Sequence, residues 1–251
     1  MIERILPSCV VSADRFDDPP DAMLFPEEEK IVAQAVEKRR KEFATARLCA
    51  RRAMSQLGLP PAPVLPGVRG EPRWPSGVVG SITHCKGYRG AVLGRSSHVT
   101  TVGIDAEPND VLSPGILEVI SLSRERDHLR ALARRNGTVC WERLLFSAKE
   151  SVYKAWFPLA ERWLDFEDAD VTIDYERGTF SARLLVSGPQ VNGSEVKGFT
   201  GRWLVRDGLI LTAIVVPSPA TLARARASAA RGVSGMPRPI PGDDQDSSFP
   251  R

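Results

Sequence analysis

The sequence contains few cysteines and histidines, and neither is arranged as a metal site. The four cysteines (Cys9, Cys49, Cys85 and Cys140) are scattered along the chain and form no C-x-x-C pair, and the three histidines form no H-E-x-x-H pattern. The sequence therefore predicts neither a zinc site nor a disulfide framework, and unpaired thiols are typical of a reducing cytoplasm.

Long hydrophobic segments are also missing. The longest apolar run, LILTAIVVP at 209–217, is much shorter than the roughly 20 residues that cross a bilayer. The first residues, MIERILPSCVV, include charged side chains from the start and do not resemble a signal peptide. We therefore predict a soluble cytoplasmic protein with no membrane association.

Excess charge of one sign is small outside the C-terminal tail. The net charge is +3, but residues 217–251 alone contain five arginines and three aspartates, so the rest of the chain has a surplus of only one positive charge. A nearly neutral body argues against nucleic acid as the main partner.

Both halves of the chain do contain a long helical pattern and several strand-like runs. Pro26 and the three glutamates after it open a helix, which apolar spacing continues to Gly58. The proline-rich segment 59–75 is predicted to be a loop without regular structure. Strands are predicted at 77–84, 87–94, 99–105, 169–174, 178–186 and 199–216, the last run divided by a turn at 206–208. Helices are predicted at 123–135 and 140–157, the second ended by Pro158.

These elements indicate an α+β fold made of two lobes of similar size. We predict an N-terminal lobe at 1–103 and a C-terminal lobe at 104–216. Residues 217–251 are rich in Ala, Arg, Ser, Gly, Pro and Asp, a composition that predicts a disordered tail.

Two carboxylates mark the end of the strand at 99–105. Asp105 and Glu107 are two residues apart, which places them on one face of a strand, roughly 6.5 Å apart. Mg²⁺ prefers such hard oxygen donors and completes its coordination with water and phosphate oxygens. The alternative is a polar strand end whose carboxylates only cap or turn the chain.

His84 lies at the end of another apolar strand, just before a glycine turn. Its ring could donate a hydrogen bond to a phosphate, or it could have a purely structural role. The neighbouring glycines lack the spacing of a dinucleotide or P-loop fingerprint.

The segment FSAKESVYKAW at 146–156 forms an amphipathic helix pattern that contains an unexpected cation. Glu150 and Lys154 are four residues apart, which a surface ion pair would explain. Lys149 projects from the middle of the apolar face. Such a lysine must either extend to solvent or meet a counter-charge, and a phosphate would be one.

In order, these segments resemble the signature of the 4′-phosphopantetheinyl transferases, in particular the larger, two-lobed Sfp-type enzymes of actinobacterial character. VGIDAE at 102–107 is followed, about forty residues later, by FSAKESVYK at 146–154. The accompanying segments are KRRKEFATAR at 38–47, RGEPRWP at 69–75, GSITHCKGYRGAV at 80–92 and FPLAERWLDFEDA at 157–169. The resemblance extends from about residue 24 to residue 216.

The resemblance implies two pseudo-symmetric α/β lobes, with coenzyme A and Mg²⁺ (or Mn²⁺) in the cleft between them. The implied reaction moves the phosphopantetheine arm of coenzyme A onto a serine of an apo acyl or peptidyl carrier protein and releases 3′,5′-ADP. The family also suggests a monomer. Carriers of fatty-acid, polyketide and peptide synthases all remain open.

The same resemblance implies a role for each residue that matches the motifs. The implied metal ligands are Asp105, Glu107 and Glu150, with a water where some relatives have a polar residue and this chain has Ala106. The implied coenzyme A ligands are Arg39 and Arg47 at the 3′-phosphate and ribose, Arg69 and Gly70 at the nucleotide, Thr83 and His84 at the phosphates, and Lys149 and Lys154 at the pyrophosphate. Glu150 is the candidate base and Lys154 the group that protonates or shields the leaving phosphate.

Two other functions use the same residues. One is a Mg²⁺-dependent hydrolase of coenzyme A or nucleotide diphosphates, which needs no carrier protein. The other is a non-catalytic module that binds acidic carrier proteins through its basic helix, and such a module has no use for the three carboxylates.

Overall fold

The computed structural model describes residues 1–224, so the predicted disordered tail lies outside the described residues from position 225 onward. The prediction is wrong for the first residues of the tail, because Pro217 ends a strand and residues 219–224 are helical. Helices and strands are mixed throughout this part of the chain, which confirms the predicted α+β class. The helices are α1 (Pro26–Val32), α2 (Glu37–Gln56), α3 (Ile116–Ile120), α4 (Ser123–Arg135) and α5 (Trp141–Ala160). The strands are β1 (Val10–Arg15), β2 (Leu65–Pro66), β3 (Pro72–Arg73), β4 (Val78–Cys85), β5 (Tyr88–Arg95), β6 (Val99–Pro108), β7 (Ala169–Asp174), β8 (Thr179–Leu184), β9 (Gln190–Val191), β10 (Ser194–Glu195), β11 (Gly198–Arg206) and β12 (Leu209–Pro217). Short 3₁₀ turns lie at Ile2–Ile5 and Phe166–Asp168.

The first sheet has three antiparallel strands in the order β1–β5–β4. Helix α2 packs over one face of this sheet. Ala50 and Ala53 on the inner face of α2 are fully buried, together with Met54. Small side chains at these positions let the helix lie close to Ala91 and Leu93 of β5.

The second sheet has five antiparallel strands in the order β6–β12–β11–β8–β7. Helix α5 lies across β6 and β12 and buries its apolar face against them. The opposite face of β6 packs Ile104 and Ala106 into a separate apolar cluster with Leu211. Because successive strand residues point to opposite faces, this packing turns Asp105 and Glu107 towards α5.

A seam of side-chain hydrogen bonds joins the two sheets. β4 and β6 lie side by side but belong to different sheets. Ser81 Oγ accepts a hydrogen bond from the Ile104 N–H (3.1 Å), and Thr83 Oγ1 accepts one from the Ala106 N–H (3.0 Å). The two hydroxyls satisfy buried amides that would otherwise be costly. The seam also fixes Thr83 beside Asp105.

The predicted helix from Pro26 to Gly58 is wrong in one respect, because it breaks into α1 and α2. Val36 has an extended backbone (φ −61°, ψ 153°) just before α2 begins. The break turns α1 back over α2, so that the fully buried Glu28 accepts hydrogen bonds from Arg51 Nη1 (3.0 Å) and from the Val64 N–H (2.8 Å). These tertiary bonds outweigh the continuous helical pattern.

Pro158 does not end α5 as predicted, since the helix continues to Ala160. A proline in the last turn lacks only one hydrogen bond. The helix ends instead at Glu161, which has a left-handed backbone (φ 48°) and donates its N–H to the Phe157 carbonyl (2.9 Å).

Other sequence predictions differ in detail from the structure. The segment 59–75 contains the small hairpin of β2 and β3, and β1 was not predicted. The lobe boundary between residues 103 and 104 falls within β6, and the division into two lobes stays a prediction. No helix within residues 1–224 is long and apolar enough to cross a membrane.

The packing of α5 on β6 leads to a stability prediction at Gly103. A Cβ at this position would lie 2.0 Å from the Ser151 carbonyl oxygen and 2.7 Å from the Ala155 nitrogen. Gly103→Ala should therefore lower the free energy of unfolding by about 3 kcal/mol, because backbone must move to accept the methyl group. Urea unfolding followed by circular dichroism measures the change.

Gly137→Ala is the matched control. A Cβ there meets no atom within 4 Å, so the free energy of unfolding should change by less than about 1 kcal/mol. Equal stability of the Gly103→Ala variant and the wild type would contradict the close helix–strand contact.

Candidate active site

A cleft of about 840 Å³, the main cleft, lies along the seam between the two sheets. Its walls come from α2, β4, β6, α5 and the β2–β3 hairpin. The main cleft brings together every predicted site residue except Lys149. These residues are Arg39, Arg47, Arg69, Gly70, Thr83, His84, Asp105, Glu107, Glu150 and Lys154.

Asp105 is the most buried carboxylate of the main cleft, with 4% of its surface exposed. Its Oδ1 accepts hydrogen bonds from Lys154 Nζ (2.7 Å) and Thr83 Oγ1 (3.2 Å). Its Oδ2 is buried and has no hydrogen-bond partner among the residues that the structure describes. An unpartnered carboxylate oxygen is costly in a buried site, so it is suited to receive a cation.

Glu107 and Glu150 place further negative charge beside Asp105. Burial raises the pKa of Glu107 to about 6, with the charge of Asp105 adding to the rise and Arg143 opposing it. Burial also raises the pKa of Glu150, which the charge of Lys154 opposes and that of Asp105 reinforces. Both carboxylates are therefore stronger bases than an exposed glutamate.

The three carboxylates fit a divalent cation as an open site. Within residues 1–224, no group of three His, Cys, Asp or Glu side chains is arranged to hold a metal ion by itself. Mg²⁺ does not need three protein ligands, because it binds one or two carboxylates and keeps waters or phosphate oxygens as its other ligands. The hard oxygen donors and the free Asp105 Oδ2 suit this chemistry.

Ala106 has no part in this site. Its side chain is fully buried in the apolar cluster on the other face of β6. The water expected at a ligand position near Ala106 stays a prediction.

Cations line the opposite wall of the main cleft. The Arg39 guanidinium contacts His84 Nε2. Burial, followed by the charge of Arg39, lowers the pKa of His84, so the ring is neutral at neutral pH. Arg47 lies over the ring of Phe43 (4.0 Å to the centroid) and donates Nε–H to the Val64 carbonyl (2.8 Å). This wall is suited to bind anions.

Lys154 pairs with a different carboxylate from the one that helical spacing predicts. Its ammonium lies 2.7 Å from Asp105 Oδ1, and no ion pair with Glu150 is formed within residues 1–224. The contact crosses from α5 to β6, which sequence spacing within one helix does not reveal.

The geometry around Lys149 contradicts its predicted place at the pyrophosphate. Its Nζ donates hydrogen bonds to Glu125 Oε2 (2.8 Å) and to the carbonyls of Phe166 (2.7 Å) and Ala169 (3.0 Å). An ammonium has three N–H donors, so none is left for a phosphate. The counter-charge that the sequence requires for Lys149 is Glu125.

A second cavity of about 290 Å³, the side cavity, adjoins the main cleft. The two share Arg69, Glu150 and Tyr153. The phenolic oxygen of Tyr153 is buried without a hydrogen-bond partner among the described residues. The remaining lining of the side cavity is mostly apolar or aromatic and consists of Lys149, Trp163, Leu164, Asp165, Phe166 and Ala169.

Arg143 is a partner of a main-cleft carboxylate that the sequence did not indicate. Its guanidinium donates to Glu107 Oε2 (3.0 Å) and to the carbonyls of Asp110 (3.1 Å) and Val111 (2.7 Å). Arg143 thus ties a carboxylate of the main cleft to the chain that follows β6. A lone arginine on a helix carries no sequence signal for such a contact.

Glu150 leads to a prediction about stability and pH in the metal-free protein. Its pKa is raised above the ordinary 4.5, so the folded state disfavours the charged form, and this cost is present above the folded pKa and absent below about 4.5. Glu150→Gln should therefore be at least as stable as the wild type near pH 8, and lose that advantage as the pH falls towards 4.5. Urea unfolding in EDTA at both pH values measures this difference.

Glu142→Gln, in the first turn of the same helix, is the control. This substitution removes a carboxylate that interacts favourably with the positive end of the helix dipole, so it should not stabilise the protein at high pH. A Glu150→Gln variant clearly less stable than the wild type near pH 8 would contradict the burial of a charged Glu150.

Two family models match the chain in succession. The 4′-phosphopantetheinyl transferase N-terminal domain matches residues 27–94, and the 4′-phosphopantetheinyl transferase superfamily matches residues 101–197. Together the two matches include every predicted site residue that lines the main cleft.

The chain matches three relatives over nearly their whole length. The chain is 54% identical to 4′-phosphopantetheinyl transferase Svp of Streptomyces mobaraensis, over 92% of this chain and 95% of the relative. It is 49% identical to 4′-phosphopantetheinyl transferase PptT of Mycobacterium tuberculosis (86% and 98%) and 48% identical to 4′-phosphopantetheinyl transferase Npt of Nocardia iowensis (85% and 99%). The chain therefore belongs to the 4′-phosphopantetheinyl transferase family, enzymes that transfer the phosphopantetheinyl group of coenzyme A to carrier proteins.

Proposed function

We propose that the main cleft binds coenzyme A with a divalent cation and presents its phosphopantetheinyl group to a serine of an apo acyl or peptidyl carrier protein. One observation carries the proposal: the buried Asp105 Oδ2 lacks a partner among residues 1–224, and it lies in a cleft that Glu107 and Glu150 also line. Such an oxygen beside further carboxylates, opposite a basic wall, suits a cation and a polyphosphate bound together.

The basic wall of the main cleft would bind the nucleotide end of coenzyme A. Arg39 and Arg47 supply guanidinium groups for the 3′-phosphate and ribose. Arg69 and Gly70 lie on the turn of the β2–β3 hairpin, where Gly70 has a left-handed backbone (φ 85°) that favours glycine. His84 would contact the phosphates through the single N–H of its neutral ring, whereas the hydroxyl of Thr83 already donates to Asp105 and accepts the Ala106 N–H, so its role would be to hold Asp105 in place.

Asp105, Glu107 and Glu150 would hold the cation, for which Mg²⁺ is the first candidate and Mn²⁺ the alternative. When bound, the cation supplies Lewis-acid stabilisation of the phosphoryl oxygens. Arg143 and Lys154 already hold Glu107 and Asp105 in the main cleft through ion pairs of 3.0 Å and 2.7 Å, so they orient these ligands.

The transfer step requires a base and a partner for the leaving group. The serine Oγ forms a bond to the β-phosphorus, and the bond from this phosphorus to the bridging oxygen of 3′,5′-ADP breaks. Glu150 accepts the serine proton, directly or through a water, and its raised pKa favours this role. Lys154 shields or protonates the leaving phosphate, where negative charge grows.

The side cavity would receive the pantetheine arm. It shares Arg69, Glu150 and Tyr153 with the main cleft, and the rest of its lining is mostly apolar or aromatic. An uncharged arm with amide groups suits such a lining. The unpartnered hydroxyl of Tyr153 is a donor for one of those amides.

We further propose that the protein acts as a cytoplasmic monomer. The monomer is what the resemblance to the Sfp-type enzymes implies. All four cysteines are unpaired, which suits a reducing compartment.

Intact-mass spectrometry tests the transfer. Purified protein, Mg²⁺ and coenzyme A are mixed with several apo carrier proteins from fatty-acid, polyketide and peptide synthases. At least one carrier should gain the mass of a phosphopantetheinyl group, and EDTA should abolish the gain. If every carrier keeps its mass while 3′,5′-ADP is released without a carrier, the protein is a hydrolase instead.

Glu150→Gln tests the base. Turnover should fall by at least about 100-fold, because a general base is lost, while coenzyme A affinity measured by calorimetry changes by less than about threefold. Glu142→Gln should transfer at the wild-type rate. Near-normal turnover of Glu150→Gln would remove Glu150 from the mechanism.

A further inference from the structure

Lys149 and Glu125 form a fully buried ion pair behind the active site. Lys149 is 3% exposed and Glu125 is 1% exposed. Besides Lys149, Glu125 binds the N–H of Leu122 through Oε2 (2.7 Å) and the N–H of Val171 through Oε1 (2.7 Å). One carboxylate thus connects the start of α4 and strand β7 to helix α5.

The other two bonds of Lys149 hold the wall of the side cavity. Lys149 Nζ binds the carbonyls of Phe166 and Ala169, and both residues line this cavity. Between α5 and β7 the chain has only one short 3₁₀ turn, Phe166–Asp168. A segment with so little regular structure depends on tertiary hydrogen bonds for its position.

The arrangement places Lys149 between two elements that must keep a fixed distance. Glu150 and Tyr153 form one side of the side cavity and belong to α5, as Lys149 does. Leu164, Phe166 and Ala169 line the same cavity from the chain that follows α5 and from the first residue of β7. The ammonium links the helix to two carbonyls of this second part of the lining, so it sets the width of the cavity.

We propose that Lys149, held by Glu125, is a positioning residue that shapes the side cavity for the pantetheine arm and makes no contact with the phosphates of coenzyme A. The proposal rests on the assignment of the arm to the side cavity made above. Glu125 lies in neither the lining of the main cleft nor that of the side cavity, so its effect on the arm is exerted through Lys149 and the backbone of β7.

Two ligands separate this role from phosphate binding. Coenzyme A carries the arm, whereas 3′-phosphoadenosine 5′-diphosphate keeps all three phosphates and lacks the arm. Calorimetry with Mg²⁺ gives the Kd of each ligand for the wild type, Lys149→Met and Glu125→Gln. Thermal unfolding of each variant confirms that it is folded at the temperature of the titration.

For both variants we expect the Kd of coenzyme A to rise by about tenfold or more and the Kd of the arm-free nucleotide to change by less than about twofold. The double variant should resemble either single variant, because the two residues act as one unit. Glu125→Gln keeps the side-chain shape, so it supplies the same test if Lys149→Met does not fold.

Arg124→Met is the matched control. The exposed Arg124 donates from Nε to Oδ1 of Asp170 (2.7 Å), the residue that follows Ala169. Within residues 1–224, Arg124 binds no carbonyl of the cavity wall. Its loss should leave the Kd of both ligands unchanged.

Other outcomes would overturn the proposal. Equal weakening of both ligands by Lys149→Met, with no effect of Glu125→Gln, would make Lys149 a phosphate ligand. Unchanged Kd values in folded variants would make the ion pair purely structural. Transfer to a carrier by the wild type, measured in the same preparation, shows separately whether the proposed function holds.

Discussion

The hydrogen bonds between β4 and β6 are the constraint on which the rest of the site depends. Two side-chain hydroxyls, those of Ser81 and Thr83, bind amides of β6 where a continuous sheet would use main-chain carbonyls. The two sheets therefore meet without merging, and a cleft remains along their junction. Thr83 also binds the carboxylate of Asp105, so the bond that joins the sheets orients the central acid of the cleft.

Opposite charges reach this junction from different elements. The strand β6 and the helix α5 contribute carboxylates, while α2 and the β2–β3 hairpin contribute arginines. Burial makes negative charge costly at Glu107 and Glu150, as their raised pKa values indicate. Without a ligand, the buried carboxylates of the site are charged at a cost in free energy. A cation that enters together with a polyphosphate supplies favourable interactions that offset this cost. The placement of charge therefore matters more for this site than any single contact.

Sequence patterns predicted most of the longer elements and most of the cleft, but they did not predict tertiary partners. Period-two spacing identified Asp105 and Glu107, and ordered motifs identified the arginines that line the opposite wall. Lys149 shows the limit: its position on an apolar helical face required a counter-charge, yet Glu125 lies 24 residues earlier in the chain, and no local pattern links the two. Arg143 and the side cavity were missed for the same reason, because both arise from contacts between elements distant in sequence.

Uptake of Mn²⁺, followed by the electron paramagnetic resonance signal of the free ion, tests most directly whether Asp105 is the centre of the site. The account predicts that the wild type with coenzyme A removes about one equivalent of Mn²⁺ from solution. Asp105→Asn, with coenzyme A still bound, should remove far less, because the buried Oδ2 loses its charge or is replaced by an amide. Equal Mn²⁺ uptake by Asp105→Asn and the wild type would contradict the central claim.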